Sequence, residues 1–558
     1  MVQEFDRRVA WPHGYEALEL EDGWHWKVLS THRERLLPAM SRIDDVESLP
    51  GFRLLGSSMV RCVGALALAG GLQVVVKRYR PRGPTRVLDA KVRRPQWIRE
   101  WDAAHRVMNR GIPTAVPLAL GEKRRWMGAS SGAVITLALM GSPSLLEAFS
   151  SDEADAPGLD RGVLPDVVGR FVSMLHDRGV LHKDLHGENI LVTSRDGSIV
   201  LLLLDLHRLT FSRKVSPRRR LWNMAQLLTS LQGKISQREE RGILKGYLEA
   251  SGLALSPPEF GERVERLREM LTRRHERSRS RRCLVESSSF VVCRQNALKV
   301  RAKRGFPLER LPRILHEARS VTTLSDTRAL KLAPESRVTL SRLPVDGGEL
   351  LLCVKEYPFR DLSHALSHSL RSSRAKAFWR GWWGSKVRGI PVPEAYLMWE
   401  ERRLGLLTGC GVIMEAVGQA AGLDRYVSEH FSPPLDSRML SMKKRLNSQM
   451  VALLANLHCK GILHKDLKAG NIMVQEGLDG PRLLLLDLDA MRFKRSISRR
   501  DMILNLAQLD ASMPTCVGRW ERLKFLVSYW RSRGKGEGLR AVAREVEALS
   551  LKRCNVEA

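Results

Sequence analysis

L-H-K-D-L-H-G-E-N-I-L-V, Leu181 to Val192, returns later in the chain as L-H-K-D-L-K-A-G-N-I-M-V, Leu463 to Val474. The surroundings repeat as well. A Leu-His pair precedes each copy (Leu175-His176 and Leu457-His458), followed by a turn ending in Gly179 or Gly461. A leucine run follows each copy and closes on an aspartate, Asp205 in L-L-L-L-D-L-H and Asp487 in L-L-L-L-D-L-D. Asn189 comes five residues after Asp184, and Asn471 five after Asp466. The step from 184 to 205 equals that from 466 to 487, 21 residues. One such motif alone could be a plain strand-turn-strand. Two in one register are not an accident of composition.

The spacing has a chemical reason. Phosphoryl transfer asks a protein for positioning and charge neutralisation more than for covalent work. An aspartate, an asparagine five residues on and a second aspartate closing an apolar strand form the catalytic loop and metal aspartate of the protein-kinase-like fold. Asp184 or Asp466 is then the residue that orients the attacking hydroxyl and takes its proton. Asn189 with Asp205, and Asn471 with Asp487, are the candidate magnesium ligands. Magnesium takes few protein oxygens and keeps several waters, which suits one Asn and one Asp.

The chain has 558 residues, enough for two or more domains. A repeat of this length is far longer than a solenoid unit and fits a duplicated domain. The expected division is residues 1–275 and 276–558. No apolar run reaches the ~18 residues of a membrane span. The start, M-V-Q-E-F-D-R-R, lacks the pattern of a signal peptide. Eight scattered cysteines without a C-x-x-C favour a reducing cytoplasm over a zinc site or a disulfide scaffold. The formal net charge of +31 attracts polyanions. A generally solvated basic surface is the first explanation, and an anionic membrane surface the second. Nucleic acid is the least expected partner, because no helix-turn-helix, zinc-finger or RNA-binding motif is present.

Upstream of each motif lies a strand lysine. Leu72, Val74 and Val76 alternate with Gln73, Val75 and Lys77, so Lys77 sits on the face opposite the apolar one. Such a lysine can grip phosphates. Lys355 closes the matching run Leu350 to Val354 in the second copy. No G-x-G-x-x-G precedes either lysine; Gly56 to Gly64 and Pro334 to Leu343 stand in its place. A basic helix comes next in each copy and stops at Gly111-Ile-Pro113 or Gly389-Ile-Pro391. Aligned on that stop, Glu100 falls on Phe378 and Trp101 on Trp379. Glu100 is the candidate for pairing with the strand lysine and holding it over the nucleotide. Between Asp361 and Glu394 the second copy has no acid at all, so its activity is in doubt. Lys468, two residues after Asp466, is within reach of a transferring phosphoryl group; the first copy has His186 there.

After each metal-position aspartate the chain returns quickly to a helix, N-M-A-Q-L (Asn223 to Leu227) or N-L-A-Q-L (Asn505 to Leu509). No A-P-E and no long activation segment intervene. Protein kinases dock peptides on that segment, so its absence favours a small or glycolipid acceptor. The short return is basic, with Arg208, Arg213, Lys214, Arg218, Arg219 and Arg220 in the first copy. It is either a solvated loop or a site for an anionic sugar. Arg273 to Arg282 reads as an exposed connector between the copies.

These features together resemble the lipopolysaccharide kinases, the Kdo and core-heptose kinase family of the protein-kinase-like superfamily. The carriers of the resemblance are the strand lysine, Glu100 with Trp101, the Gly-Ile-Pro stop, H-K-D-L with its asparagine, and D-L-H-R from Asp205 to Arg208. It implies an α+β fold in tandem, each copy a β-rich N-lobe on a helical C-lobe. It also implies ATP and magnesium as cofactors and a sugar hydroxyl of the lipopolysaccharide inner core as acceptor. The place would be the cytoplasm, at the inner face of the membrane. Three other readings stay open: a protein kinase, an antibiotic-type phosphotransferase, and a nucleotide-binding scaffold without turnover.

Overall fold

The computed structural model describes residues 14–58, 61–80, 94–124, 130–139, 141–150, 160–195, 197–295, 297–323, 325–333, 336–345, 348–358, 372–404, 406–477, 480–534 and 538–557. The chain forms two compact units, residues 1–273 and 274–558. The first opens with seven strands: β1 (Tyr15–Glu19), β2 (His25–Leu29), β3 (Phe52–Ser58), β4 (Arg61–Ala67), β5 (Gln73–Tyr79), β6 (Pro117–Arg124) and β7 (Ser130–Leu137). They pair antiparallel in the order β1-β2-β6-β7-β5-β4-β3. The seven strands of the second unit, from Phe290–Gln295 to Leu406–Glu415, repeat that order. Helices follow in both units, with two short strand pairs between them in the first and a three-stranded sheet and one pair in the second. This is the expected α+β architecture, present twice.

β5 lies between β4 and β7, with Lys77 opposite Val63 and Val134. Strand alternation divides its residues. Val74 and Val76 face a core with Trp24, Trp26, Leu36 and Ile135. Lys77 and Tyr79 face the other side, where Trp97, Ile98 and Trp101 of the helix Gln96–Met108 close over the sheet. That helix ends because Gly111 adopts φ +63°, a conformation that suits glycine after a helix. Gly389 ends the corresponding helix Arg374–Val387 in the same way, at φ +69°. The turns β3–β4 (Met59, Val60) and its counterpart (Pro334, Glu335), where phosphate-covering loops were expected, lie outside the described residues.

The segment Arg273–Arg282 holds the division between the two units and is mostly exposed, as expected of a connector, but it is helical rather than irregular. The helix Pro257–Ser280 runs through most of it. Glu276 is buried there and takes Arg388 at 3.5 Å and Lys460 at 3.4 Å. One face of an arginine-rich stretch can therefore pack while the others stay in water. Among the described residues no helix is long and apolar enough to cross a membrane.

Candidate active site

The first unit brings its predicted residues together. Lys77 Nζ pairs with Glu100 Oε1, and the Tyr79 hydroxyl donates to Glu100 Oε2 at 2.6 Å. Glu100 is buried. Burial pushes its carboxyl up, but the Lys77 charge and the Lys77 and Tyr79 hydrogen bonds outweigh that, and its pKa lies below the usual value. Tyr79 is a partner that pattern reading missed; its position two residues past Lys77, on the same strand face, was the available signal.

Asp205 sits in the left-handed region at φ 54°, ψ 48°, and Asp487 at φ 51°, ψ 50°. A non-glycine residue held there is strained, and such strain clusters at functional sites. His207 Nδ1 lies 2.9 Å from Asp205 Oδ1, and Arg61 reaches the same oxygen at 3.4 Å. Burial alone would raise the Asp205 pKa; His207, Lys77 and Arg61 together hold it well below the carboxylate range. Glu100, Asp205 and His207 bring one ligand atom each within 4.8 Å of one another. Glu100 is already committed to Lys77 and Tyr79. Asp205 is in turn engaged by His207 and Arg61.

The catalytic loop is held from two sides. His182 Nε2 donates to the Leu204 carbonyl at 3.2 Å, and the Asp184 amide donates to His182 Nδ1 at 3.2 Å. One ring thereby spans Asp184 and the residue before Asp205. Burial pushes this ring down to about 4, so it is neutral, as one donor and one acceptor require. Asn189 Nδ2 donates to the Asp184 carbonyl at 3.0 Å, a bond that does not use its side-chain oxygen. From the other side, Asn223 Nδ2 donates to the His182 carbonyl at 2.6 Å and Gln226 Nε2 to that of Lys183 at 3.0 Å. Behind Asn223, its oxygen meets His176 Nε2 at 3.2 Å, and His176 Nδ1 meets the Tyr247 hydroxyl at 2.9 Å. The N-x-A-Q-L pattern, which marked only a helix in sequence, is a buttress for this loop.

The second unit repeats the frame. His464 bridges the Leu486 carbonyl (3.0 Å) and the Asp466 amide (3.3 Å). Asn471 Nδ2 donates to the Asp466 carbonyl at 2.8 Å. Asn505 and Gln508 hold the carbonyls of His464 and Lys465, each at 2.6 Å. His458 joins Asn505 to Tyr529. Lys468 Nζ lies 4.0 Å from Asp466 Oδ1; His186, at the equivalent place, meets Asn189 Nδ2 at 3.0 Å. The lysine environment differs. Phe378 stands in place of Glu100, and Lys355 Nζ is 2.7 Å from Asp487 Oδ1 and 3.7 Å from Asp489 Oδ1.

Part of the basic return is structural. Arg220 is buried and binds Asp177 (2.7 Å) and the Val215 carbonyl (3.0 Å). In the second unit Lys494 pairs with Asp501 and Arg499 with Glu545. Arg208 pairs with Asp184 at 3.0 Å, in the site itself. A cavity of about 380 Å³ opens beside the loop, lined by Lys183, Thr210, Arg219, Trp222 and Gln226 among others. A larger apolar cavity of about 840 Å³, with Phe431, Met450 and Trp520 in its wall, lies among the second unit's helices and does not include its catalytic loop.

The family model "Lipopolysaccharide kinase (Kdo/WaaP) family" matches the chain twice, over residues 71–247 and 358–529. No curated protein matches it. Among solved structures, WaaP in complex with acyl carrier protein is 21% identical, covering 47% of this chain and 98% of its own, with a TM-score of 0.32. Amicoumacin kinase hAmiN in complex with AMP-PNP, Ca2+ and Ami is 13% identical, covering 46% and 91%, with a TM-score of 0.28. The PknI kinase domain of Mycobacterium tuberculosis is 16% identical, covering 39% and 95%, with a TM-score of 0.24. The family match spans more than half of the chain and includes both catalytic loops. The chain is a kinase with two kinase-like units, and it belongs to the lipopolysaccharide kinase (Kdo/WaaP) family.

Proposed function

We propose that the protein transfers phosphate from ATP, with magnesium, to a sugar hydroxyl of the lipopolysaccharide inner core, and that the first unit carries the transfer. The observation that carries this reading is the Lys77–Glu100–Tyr79 cluster facing Asp205. It is a pre-organised cation beside an ionised carboxylate, which is what a nucleotide triphosphate needs. Lys77, held by Glu100, binds the nucleotide phosphates. Asn189 and Asp205 would hold magnesium, and their oxygen donors suit that ion. When bound, the metal neutralises the charge that builds on the transferring group. Asp184, on a loop fixed by His182 and Asn223, orients the acceptor hydroxyl and takes its proton. Arg208 beside Asp184, with Lys183 and Arg219 in the neighbouring cavity, suits an acceptor that is itself anionic.

The acceptor class is supported by the short return. Asp205 is followed by the strand Leu209–Phe211, paired with Val180–His182, and then at once by the helix from Pro217. That leaves no platform for a peptide. The family implies work at the cytoplasmic face of the inner membrane, and the net charge of +31 fits an anionic surface.

The test is transfer of label from ATP with magnesium to purified lipopolysaccharide core, to a generic basic protein and to the chain itself. Label on the core that disappears in Asp184→Asn is the expected result. Label on the protein substrate alone would replace the acceptor by a peptide. Nucleotide binding without any product would make the chain a scaffold.

A further inference from the structure

The second unit lacks the helix acid, yet its lysine is not short of a carboxylate. In the first unit the cation-facing carboxylates are Glu100 and Asp205, and the cations are Lys77 and Arg61. In the second unit the carboxylates are Asp487 and Asp489, and the cations are Lys355 and Arg374. Among the described residues these ion pairs hold two acids and two cations in each unit, but one acid has moved. It has left the helix, where Phe378 now stands with its ring centroid 6.0 Å from Lys355 Nζ, and has reappeared two residues after the metal-position aspartate. The first unit has His207 at that place, 3.9 Å from Glu100.

Three further contacts surround the moved acid, whose Oδ1 is buried 3.7 Å from Lys355 Nζ and makes no hydrogen bond among the described residues. Arg374, on the first turn of the helix Arg374–Val387, binds Asp489 Oδ2 at 3.0 Å and fixes the carboxylate. The same guanidinium lies 4.5 Å over the ring of Tyr357, which is the counterpart of Tyr79. The Tyr357 hydroxyl is buried without a hydrogen-bond partner among the described residues, because the glutamate that Tyr79 serves is missing. Finally, the helix presses against the turn that carries Asp489. A Cβ on Gly381 would lie 2.0 Å from the Leu488 carbonyl oxygen; Ala103 is the matching residue on the first unit's helix. The missing methyl lets the turn come close enough for Asp489 to reach the lysine.

We infer that Asp489 is the lysine-positioning residue of the second unit, standing in for the absent helix glutamate, and that this unit binds a magnesium–nucleoside triphosphate. The inference rests on the phosphotransfer reading above. Its physical sense lies in competition. With Asp487 alone, the lysine and the metal would draw on one carboxylate. With Asp489 beside it, Lys355 keeps a counter-ion while Asp487 serves the metal.

The experiment is calorimetric titration of the full chain with magnesium and AMP-PNP. Wild type should bind two equivalents and Lys77→Met one. In the Lys77→Met chain, Asp489→Asn should weaken the remaining site at least tenfold. Adding Phe378→Glu, which returns an acid to the helix, should recover most of that loss. A purely structural role for Asp489 would not be rescued from the helix. No binding left in Lys77→Met, an unchanged Kd in Asp489→Asn, or a failure of Phe378→Glu to rescue in a chain with an unaltered melting profile would each overturn the inference. Absence of binding in wild type would instead remove the phosphotransfer reading itself.

Discussion

Asn223 donates to the backbone carbonyl of His182 at 2.6 Å, while its own oxygen faces His176. One side chain therefore ties the catalytic loop to two helices of its lobe. Asn505 and His464 make the same bond at 2.6 Å in the second unit. Asn223→Ala would leave a buried carbonyl and a buried ring nitrogen unpaired, at about 1–3 kcal/mol each. We expect a lower melting temperature and a fall in transfer to the core acceptor. Asn505→Ala should lower stability comparably and spare most of that transfer. Calorimetry and the label assay on the same preparations read both.

Removing Lys77, the lysine proposed to bind the nucleotide phosphates, should hit the chemical step. Lys77→Ala is expected to cut transfer by about 10²–10³-fold, the usual loss for one pre-organised electrostatic contact. Glu100→Gln removes the acid paired with Lys77, leaving it Asp205 alone, and should lower both activity and stability, the latter by about 3 kcal/mol. A steady-state series in ATP separates the two effects.

The two catalytic-loop aspartates should not be equivalent. Asp184→Ala is expected to remove nearly all transfer to the core acceptor, and Asp466→Ala to leave most of it. Equal losses in the labelled-ATP assay would overturn the assignment of transfer to the first unit.

Acid should weaken the fold before it protonates the metal-position carboxylates. His176 and His458 are buried, and burial pushes each from 6.5 to about 4. The unfolded chain takes up these protons below pH 6.5, while the folded chain refuses them until about pH 4. Their contribution is thus complete above pH 6.5 and lost as pH falls towards 4, by at most about 3 kcal/mol per ring. Melting temperatures between pH 7.5 and 4.5 should fall accordingly, and His176→Gln should flatten the slope.

Gly381→Ala tests the close approach of helix and turn in the second unit. The added methyl meets the Leu488 carbonyl, so the turn must shift, at about 1–3 kcal/mol. We expect nucleotide binding by the Lys77→Met chain to weaken with it. Ala103→Gly in the first unit should cost about 1 kcal/mol of helix propensity and about 0.8 kcal/mol for the buried methyl it loses.

Much of this molecule is legible in one dimension. The duplication, the two catalytic loops, the strand lysines and the place of Glu100 follow from motif spacing and strand alternation, because those features are set by local backbone periods. The α+β architecture follows from the same features. Pairing across the fold is a different matter. That Asn223 buttresses His182, that Arg220 is buried on Asp177, and that Glu276 anchors Arg388 depend on residues tens to more than a hundred positions apart. No sequence period encodes such distances. The missing acid shows the divide most clearly. Sequence alone established that the second copy has no carboxylate on its helix. Only the tertiary structure decided that Asp489 comes within 3.7 Å of Lys355, since a charge acts on what lies within a few ångströms, and the helix at Gly381 packs directly on the turn that carries it.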